Sequence, residues 1–553
     1  MKHCHRSQET GKRRSDNIGL FQSPGKTSMA KQKSTSERLR SLLGEGLCKQ
    51  KTLLLTLDSP FLDNAQVFPY LGILYLMAVA RSNGMQIKFL HAKARETSTS
   101  VGPVMAYSDE IGPENVDCCR DFDVIGISCM TPQGLQAYRL CEEIKRLYPS
   151  KTVILGGPHA RFYLDQCLDK GFDIIVSGDG EHLFEAMITA DFDLLSNRVT
   201  HLLDKTLVLE DSLSVEQMNA FPVPYREEAY LRRYNYLLED VPATTLVNSR
   251  GCPMRCAFCE HSGSLPRWYS PEHFEAEIRT ITNLGYQGIM IFDDLFALSP
   301  RRICPYLDIL KRYHERRNVV FRCFGHARII AKHPILLEML AGSGCVEIGI
   351  GAESASQSIL DGINKRTTVN QLHACINQAA QRGIKVKAFF MIGLPGETER
   401  TFAKTHEFIR FYRKKYPFHF DFDLSIFFPY RGTMIGNAIR LKAGESVTAC
   451  GRTLRHDSFN VRLNPEYTWD EIDSGILGAY KKRGGGSDLV IESYDWRNRK
   501  LLLSAQSIQS LKNRTMKYSG RYAHNRNRNH LNATPVSEGN ICHGVKTSLR
   551  KFA

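Results

Sequence analysis

Three cysteines in one short segment have a spacing that could support metal chemistry. In the stretch Ser-Arg-Gly-Cys-Pro-Met-Arg-Cys-Ala-Phe-Cys, Cys252, Cys256 and Cys259 are separated by three and then two residues. Thiolates are the protein ligands of iron–sulfur clusters, and a four-iron cluster has an iron at each of four corners. Three closely spaced cysteines therefore predict a cluster in which one iron stays open to another ligand.

A zinc ion is the alternative for the same segment. A tetrahedral zinc site normally has a fourth Cys or His ligand, and His261 is the nearby candidate. The chain has 16 cysteines, and most of the others stand singly in apolar surroundings, where a small buried core residue is the expected role. We expect no disulfide framework in a chain of this kind.

Regular elements must position these cysteines, and the hydrophobic periodicity predicts which elements they are. Short β-rich runs alternate with helical stretches, a pattern that is typical of parallel βα units. Six candidate strands accompany and follow the cysteines, at 244–250, 288–294, 319–326, 345–354, 385–393 and 420–428. Because parallel strands end at one edge, the polar residues that follow them should meet there.

The residues before the cysteines alternate in the same way and predict a separate doubly wound, Rossmann-like sheet. Its candidate strands are 52–58, 86–92, 123–129, 152–158 and 173–178. Such sheets bind ligands outside the carboxyl ends of their strands, where glycines let the backbone approach a bulky ligand. The candidate ligand contacts at these ends are Ser128, Thr131, Gly156, Gly157, His159, Gly178 and Glu181.

The cysteine segment resembles the CxxxCxφC loop of the radical S-adenosylmethionine (SAM) superfamily, in which an aromatic residue precedes the last cysteine. Phe258 fills that position. The resemblance implies a [4Fe-4S] cluster on Cys252, Cys256 and Cys259, and SAM bound to the open iron and cleaved to a 5′-deoxyadenosyl radical. It also implies that the six strands form a partial (β/α)6 barrel.

The same resemblance implies which residues contact SAM. Asp293 and Asp294 stand where the superfamily often has Gly-Gly-Glu, and Glu353-Ser354 matches a Gly-x-Glu-Ser segment. A helix N-cap is the alternative role for the two aspartates, and a plain surface position is the alternative for Arg328. The implied SAM contacts are Phe258, Asp293, Asp294, Arg328, Glu353, Ser354 and Gly393, the last in a Gly-Leu-Pro-Gly-Glu-Thr segment.

The front sheet resembles the cobalamin-binding domain that precedes many radical SAM barrels, and the combined resemblance covers about residues 52–430. An Asp-x-His-x-x-Gly signature, which supplies cobalt with a histidine, is absent. We therefore expect the corrin to bind without a protein histidine on cobalt. His159 is either a corrin neighbour or a loop histidine with ordinary hydrogen bonds. A domain that keeps the fold without the cofactor is the alternative.

The resemblance implies an enzyme that methylates an unactivated carbon through cobalamin. A cobalamin-dependent oxidative cyclase is the enzymatic alternative, and an iron–sulfur or corrin sensor is the non-enzymatic one. A methylthiotransferase is disfavoured because the front domain has no second cysteine triad. The expected partners are a small-molecule substrate and an electron donor such as flavodoxin or ferredoxin.

The formal charge of +15 lies mostly at the two ends of the chain. We predict disordered basic tails at 1–51 and 501–553, because these ends are rich in polar and charged residues. A folded basic groove is not indicated, and no specific nucleic-acid binding is expected.

The remaining boundaries follow from composition and periodicity. They are a front domain at 52–212, a proline-containing linker at 213–243, the barrel at 244–435 and a helical cap at 436–500 with a helix over 469–482. No apolar run approaches the roughly 20 residues of a membrane-spanning helix. We therefore expect a cytoplasmic protein without a membrane span.

Overall fold

The fold was analysed in a computed structural model of the 553-residue chain. The structure describes residues 29–57, 68–92, 94–96, 107–111, 116–203, 205–226, 234, 236–392, 394–427, 430 and 432–435, with five short segments at 446–449, 452–455, 462–463, 491–495 and 500–503.

The front half of the chain forms a mixed α/β domain. Its strands are β1 (Thr52–Leu57), β2 (Lys88–Ala92), β3 (Ala94–Glu96), β4 (Tyr107–Ile111), β5 (Val124–Ser128), β6 (Thr152–Gly156), β7 (Ile174–Gly178), β8 (Val199–Leu202) and β9 (Leu207–Asp211). Its helices are α1 (Met29–Leu43), α2 (Leu71–Ser82), α3 (Gly134–Leu147), α4 (Pro158–Phe162), α5 (Leu164–Cys167), α6 (Glu181–Thr189), α7 (Phe192–Asn197) and α8 (Val215–Ala220).

Seven of these strands make one sheet in the order β2-β1-β5-β6-β7-β9-β8. All neighbours are parallel except the β8–β9 pair at one edge. Side chains of β1 alternate between the two faces: Leu54 joins the core under α2 and α6, whereas Leu53 and Leu55 join the core under α3. Both faces are thus covered by helices, and the predicted doubly wound sheet is confirmed.

Helix α1 lies inside the segment for which we predicted a disordered tail, and the prediction is wrong for this part. Leu39, Leu43 and Leu47 are fully buried in the core that also holds α6 and α7. Leu39 and Leu43 are four residues apart and form one apolar stripe on the helix, and Leu47 follows in the short turn after it. The net charge of the segment concealed this stripe.

The rest of the chain forms the second domain. Its strands are β10 (Tyr236–Leu238), β11 (Val241–Leu246), β12 (Ser249–Arg250), β13 (Arg267–Trp268), β14 (Gly288–Ile291), β15 (Val320–Gly325), β16 (Cys345–Glu353), β17 (Lys385–Ile392), β18 (Phe420–Ile426), β19 (Ser446–Ala449), β20 (Arg452–Arg455), β21 (Arg462–Leu463), β22 (Ile491–Asp495) and β23 (Lys500–Leu503). Its helices are α9 (Pro271–Asn283), α10 (Pro300–Arg317), α11 (Ala327–Lys332), α12 (Ile335–Gly342), α13 (Gln357–Gly362), α14 (Val369–Gln381) and α15 (Glu399–Lys415).

Six parallel strands, β11, β14, β15, β16, β17 and β18, form the centre of the second sheet. Antiparallel strands β10 and β21 flank them. Outward side chains such as Phe321 and Phe390 pack against the helices in one large apolar core. The six predicted strands are confirmed, and the sheet has the architecture of a partial (β/α)6 barrel.

Two boundaries differ from the expectation. The first barrel strand ends at Leu246 rather than at 250, because the chain continues into β12, which pairs with β13 instead. The predicted linker contains α8 and β10. The predicted helix over 469–482 lies outside the described residues. Across the described part of the chain, no helix has the length and apolar character needed to cross a bilayer.

Candidate functional site

The three cysteines lie on a loop between β12 and β13, at the carboxyl end of the barrel strands. The loop is tied down on two sides: the N–H of Ala257 donates to the carbonyl of Ile363 over 2.9 Å, and the N–H of Ile435 donates to the carbonyl of Ala257 over 3.0 Å. The Asn364 side-chain amide also donates to the carbonyl of Arg255. The cysteine loop is therefore held by backbone hydrogen bonds on both flanks.

The three thiols share a largely buried environment. Burial raises the pKa of all three, that of Cys259 to about 12, and the charges of Cys252 and Cys256 act on Cys259 in the same direction. Such mutual effects require close approach. Within the described ranges, however, no three Cys, His, Asp or Glu side chains are gathered as ligands of one ion.

Phe258, the aromatic residue before the last cysteine, anchors the inner side of the loop. Its ring packs against a small apolar cluster that includes Ile359, Ile363 and Leu394. The Nζ of Lys365 lies 5.7 Å from the centre of the ring. The buried ammonium group of Lys365 therefore lies next to the inner side of the cysteine loop.

Lys365 is paired with Glu353, the predicted SAM contact at the end of β16. The two side chains are buried and their Nζ and Oε1 atoms are 2.7 Å apart. Burial acts to lower the pKa of Lys365, but the charges of Glu353 and Cys256 outweigh it and the pKa is raised. A Cβ on Gly351 would lie 2.4 Å from the Glu353 carboxylate and 2.6 Å from Nζ, so this glycine leaves the space that the pair occupies.

The two aspartates at the end of β14 have different environments. Asp293 is buried and accepts hydrogen bonds from the Asn248 N–H and the Ser249 hydroxyl, each over 2.6 Å. Burial raises its pKa to about 7. Asp294 is more exposed and accepts one hydrogen bond from the Gly251 N–H, next to Cys252. Of these two aspartates, Asp294 is the one placed to offer a carboxylate oxygen to a ligand beside the cysteines.

The other three predicted SAM contacts have three different positions. Ser354 is fully buried; its hydroxyl lies 3.2 Å from that of Thr405 and accepts the N–H of Ser356, which is a role within the fold. Arg328 is half-buried in the first turn of α11, just after β15. Gly393 lies outside the described residues.

A cavity of about 340 Å³ opens between the front sheet and helices α2 and α6. Five of the predicted residues line it: Ser128, Gly156, Gly157, Gly178 and Glu181. A Cβ on Gly156 would meet no atom within 4 Å, so it would project into open space. The remaining lining is mainly Leu, Ile and Val. An apolar cavity with bare backbone at its mouth lets a bulky ligand approach the strand ends closely and insert one apolar part.

Thr131 and His159 do not line this cavity. His159 is fully buried under α3; its Nε2 lies 2.6 Å from the Tyr138 hydroxyl and its ring stacks on Tyr163. Burial lowers its pKa to about 4. The histidine therefore has the role of a loop histidine within the core. Thr131 is likewise buried, at the start of a short turn.

One functional feature was missed from the sequence. Arg250, two residues before Cys252, lines the cavity of the front domain and binds both Asp179, over 2.9 Å, and Glu181. Arg267 binds the other oxygen of Asp179 over 2.6 Å. These pairs connect residues 69 to 88 positions apart, so no local pattern predicts them. The base of the cysteine loop and the mouth of the cavity thus share one set of ion pairs.

Comparison with known proteins agrees with this geometry. The family described as the radical SAM superfamily matches residues 247–409, and the B12 binding domain family matches residues 64–188. The bacteriochlorophyllide d C-8(2)-methyltransferase of Chlorobaculum tepidum is 22% identical, over 66% of this chain and 82% of its own. The anaerobic magnesium-protoporphyrin IX monomethyl ester cyclase of Rubrivivax gelatinosus is 24% identical, over 51% of this chain and 54% of its own.

A solved structure has the same fold. The radical SAM methyltransferase TsrM of Kitasatospora setae, determined with tryptophan and a SAM analogue, superposes with a TM-score of 0.52 at 16% identity. The match covers 72% of this chain and 78% of that one. Both domains thus occur together in a known architecture.

Proposed function

We propose that the chain is a radical SAM enzyme with a [4Fe-4S] cluster, SAM and cobalamin as its cofactors, and that it methylates an unactivated carbon of a small molecule. A carbon–hydrogen bond of this kind is too strong for acid–base catalysis. The cluster and SAM supply the radical chemistry and cobalamin supplies the methyl group when they are bound.

The observation that carries the proposal is the shared wall between the two cofactor sites. Val247 and Arg250 line the front-domain cavity, and Cys252 follows two residues later. A methyl transfer that depends on both cofactors needs a substrate within reach of each. A chain that places the two sites on either side of one short strand meets this demand.

The side chains have separable tasks in this proposal. Cys252, Cys256 and Cys259 hold the cluster. The Gly251 N–H uses one acceptor position of the Asp294 carboxylate. The remaining positions accept hydrogen bonds from the amine of SAM. Asp293 orients the chain before the loop through its bonds to Asn248 and Ser249 and does not itself meet the ligand.

The test is anaerobic reconstitution of the full chain with iron, sulfide, cobalamin, SAM and dithionite. We expect about four irons per chain, retained cobalamin, and formation of both S-adenosylhomocysteine and 5′-deoxyadenosine. The Cys256→Ala variant should lose the cluster and SAM cleavage, whereas Cys304→Ala, which changes an exposed cysteine on α10, should lose neither. Full iron content in Cys256→Ala would contradict the ligand assignment.

A cobalamin-dependent cyclase is the second candidate, supported by the similarity to the R. gelatinosus cyclase. A cyclase would consume SAM without forming S-adenosylhomocysteine, because no methyl group leaves SAM. A sensor would form neither product. The reductant in the cell is a separate protein or small molecule, and we propose a flavodoxin or ferredoxin.

A further inference from the structure

Four phenylalanines form a continuous row along one wall of the barrel interior. Phe68 precedes α2, Phe292 follows β14, Phe324 lies on β15 and Phe389 lies on β17. Successive ring centres are 5.5, 6.0 and 5.9 Å apart, in edge-to-face or tilted arrangements. These separations are typical of attractive aromatic contacts.

The row borders open space rather than filling the core. Phe292 is 42% exposed and the other three rings are partly exposed. By contrast, Phe321 and Phe390, the outward neighbours on β15 and β17, are almost completely buried against helices. Side chains alternate along a strand, so the partly exposed rings face the interior of the barrel.

Gly349 on the intervening strand β16 makes the wall continuous. A Cβ at this position would lie 2.6 Å from the ring of Phe324 and 3.2 Å from the ring of Phe389. Any larger residue would separate the two rings. The glycine therefore lets β15 and β17 present a single aromatic surface across β16.

The charged side chains that share the inner face of β15 and β17 with the row already have partners. Lys387 lies 2.8 Å from Asp423 and 3.0 Å from Asp421, and Arg322 lies 3.2 Å from Glu347. An anionic substrate would have to break one of these pairs to bind a cation there. The interior thus offers stacking surface and paired charges.

The row also joins the two cofactor sites. Phe292 is followed by Asp293 and Asp294, which border the cysteine loop. Phe68 leads into α2, whose Leu71 and Gly72 line the front-domain cavity. A molecule stacked on the row would therefore lie between the two sites.

We propose that this row of Phe68, Phe292, Phe324 and Phe389 binds the substrate, and that the substrate is a planar, predominantly apolar ring system without a strongly anionic group at its buried end. The inference rests on the proposed function, since it assigns the substrate class of the same site. The row would select among substrates, and it is not needed to bind the cluster, SAM or cobalamin.

The test is a fluorescence titration of the full, cofactor-loaded chain with N-phenyl-1-naphthylamine, a neutral ring probe. We expect Phe292→Ala to weaken binding about tenfold, since it removes the most exposed ring of the row. Phe292→Leu, which keeps most of the apolar volume, should weaken binding less. Phe418→Ala, which changes an exposed ring at 73% on the outer surface, should leave binding unchanged.

Two results would overturn the inference. One is probe binding that Phe292→Ala does not alter; the other is tighter binding of the anionic analogue 1-anilinonaphthalene-8-sulfonate at the same Phe292-dependent site. Iron content, cobalamin content and SAM cleavage are measured on the same samples. If the chain lacks cofactor chemistry but shows Phe292-dependent probe binding, only the proposed function is rejected. If it has cofactor chemistry but shows no Phe292-dependent probe binding, only the substrate class is rejected.

Discussion

Among single residues, the buried pair of Glu353 and Lys365 combines a strained backbone at Glu353 with an ion pair. Glu353 has a φ of 60°, in the left-handed region that residues other than glycine seldom adopt. Such a conformation persists only where the surroundings fix it. Here the ion pair over 2.7 Å fixes it and puts a positive charge beside the thiols of Cys256 and Cys259.

Lys365→Met is expected to reduce iron incorporation and to lower the midpoint potential of the cluster. A nearby cation favours thiolates and favours the reduced, more negative cluster. Potentiometric titration followed by electron paramagnetic resonance measures this effect. Lys365→Arg should restore most of it, because the charge is kept.

The double variant Glu353→Gln/Lys365→Met separates charge from packing. It removes the unpaired carboxylate that the single variant leaves buried, so any purely structural defect should be relieved. A lowered potential in the double variant would support the electrostatic role. An unchanged potential in the Lys365→Met single variant would contradict the electrostatic role.

Residue spacing was enough to place the three cysteines near Asp294, because both lie on short segments at strand ends. It could not separate Asp293 from Asp294, since the direction of each side chain depends on Asn248 and Ser249 folding back over β14. Ser354 was assigned to the ligand by its motif. Its burial against Thr405, 51 residues away, is a tertiary contact that no local pattern carries.

At the scale of elements, the end of β6 decides whether the cavity stays open. Gly156→Leu would place a side chain where a Cβ meets no protein atom. We expect cobalamin retention after desalting to fall at least tenfold, with unchanged iron content, because only the cavity is filled. Gly342→Leu on α12 is the matched control, since its Cβ also meets no atom and it lies far from the cavity. Equal cobalamin content in both variants would contradict the assigned site.

Helix α1 shows how composition can mislead where periodicity does not. A chain starting at residue 51 would lose Leu39, Leu43 and Leu47, each fully buried and worth about 2 kcal/mol of burial. We expect its front domain to unfold at markedly lower urea concentration. A chain starting at residue 29 keeps the helix and should match the full protein. Equal stability of the two truncated chains would show that α1 contributes little.

At the scale of the whole molecule, Asp179 bonds the two domains through Arg250 and Arg267. Burial acts to raise its pKa, but the two arginines outweigh this and the pKa is lowered. The stabilisation is therefore complete above the ordinary carboxyl pKa of about 4 and is lost as the pH falls through the lower value in the folded state.

Asp179→Asn should destabilise the chain by about 2 kcal/mol at pH 7, because it removes the carboxylate partner of the partly buried Arg267 and leaves Arg250 with Glu181 alone. The difference from the wild type should shrink below about pH 4, where the wild-type carboxylate also becomes protonated. Thermal unfolding followed by circular dichroism across this range measures both. Asp117→Asn breaks an exposed pair with Arg120 and should change nothing. A constant difference at all pH values would contradict the linkage.

Arg250 belongs to the mouth of one cofactor site and the base of the other, and this double membership has a consequence for assembly. When one cofactor binds and orders the Arg250 side chain, binding of the other cofactor has less conformational entropy of Arg250 left to lose. Loading of cobalamin and loading of the cluster should then promote one another, and by the same factor in both directions. Cobalamin should bind the cluster-loaded chain more tightly than the cluster-free chain, so a cell short of either cofactor would accumulate protein that lacks both.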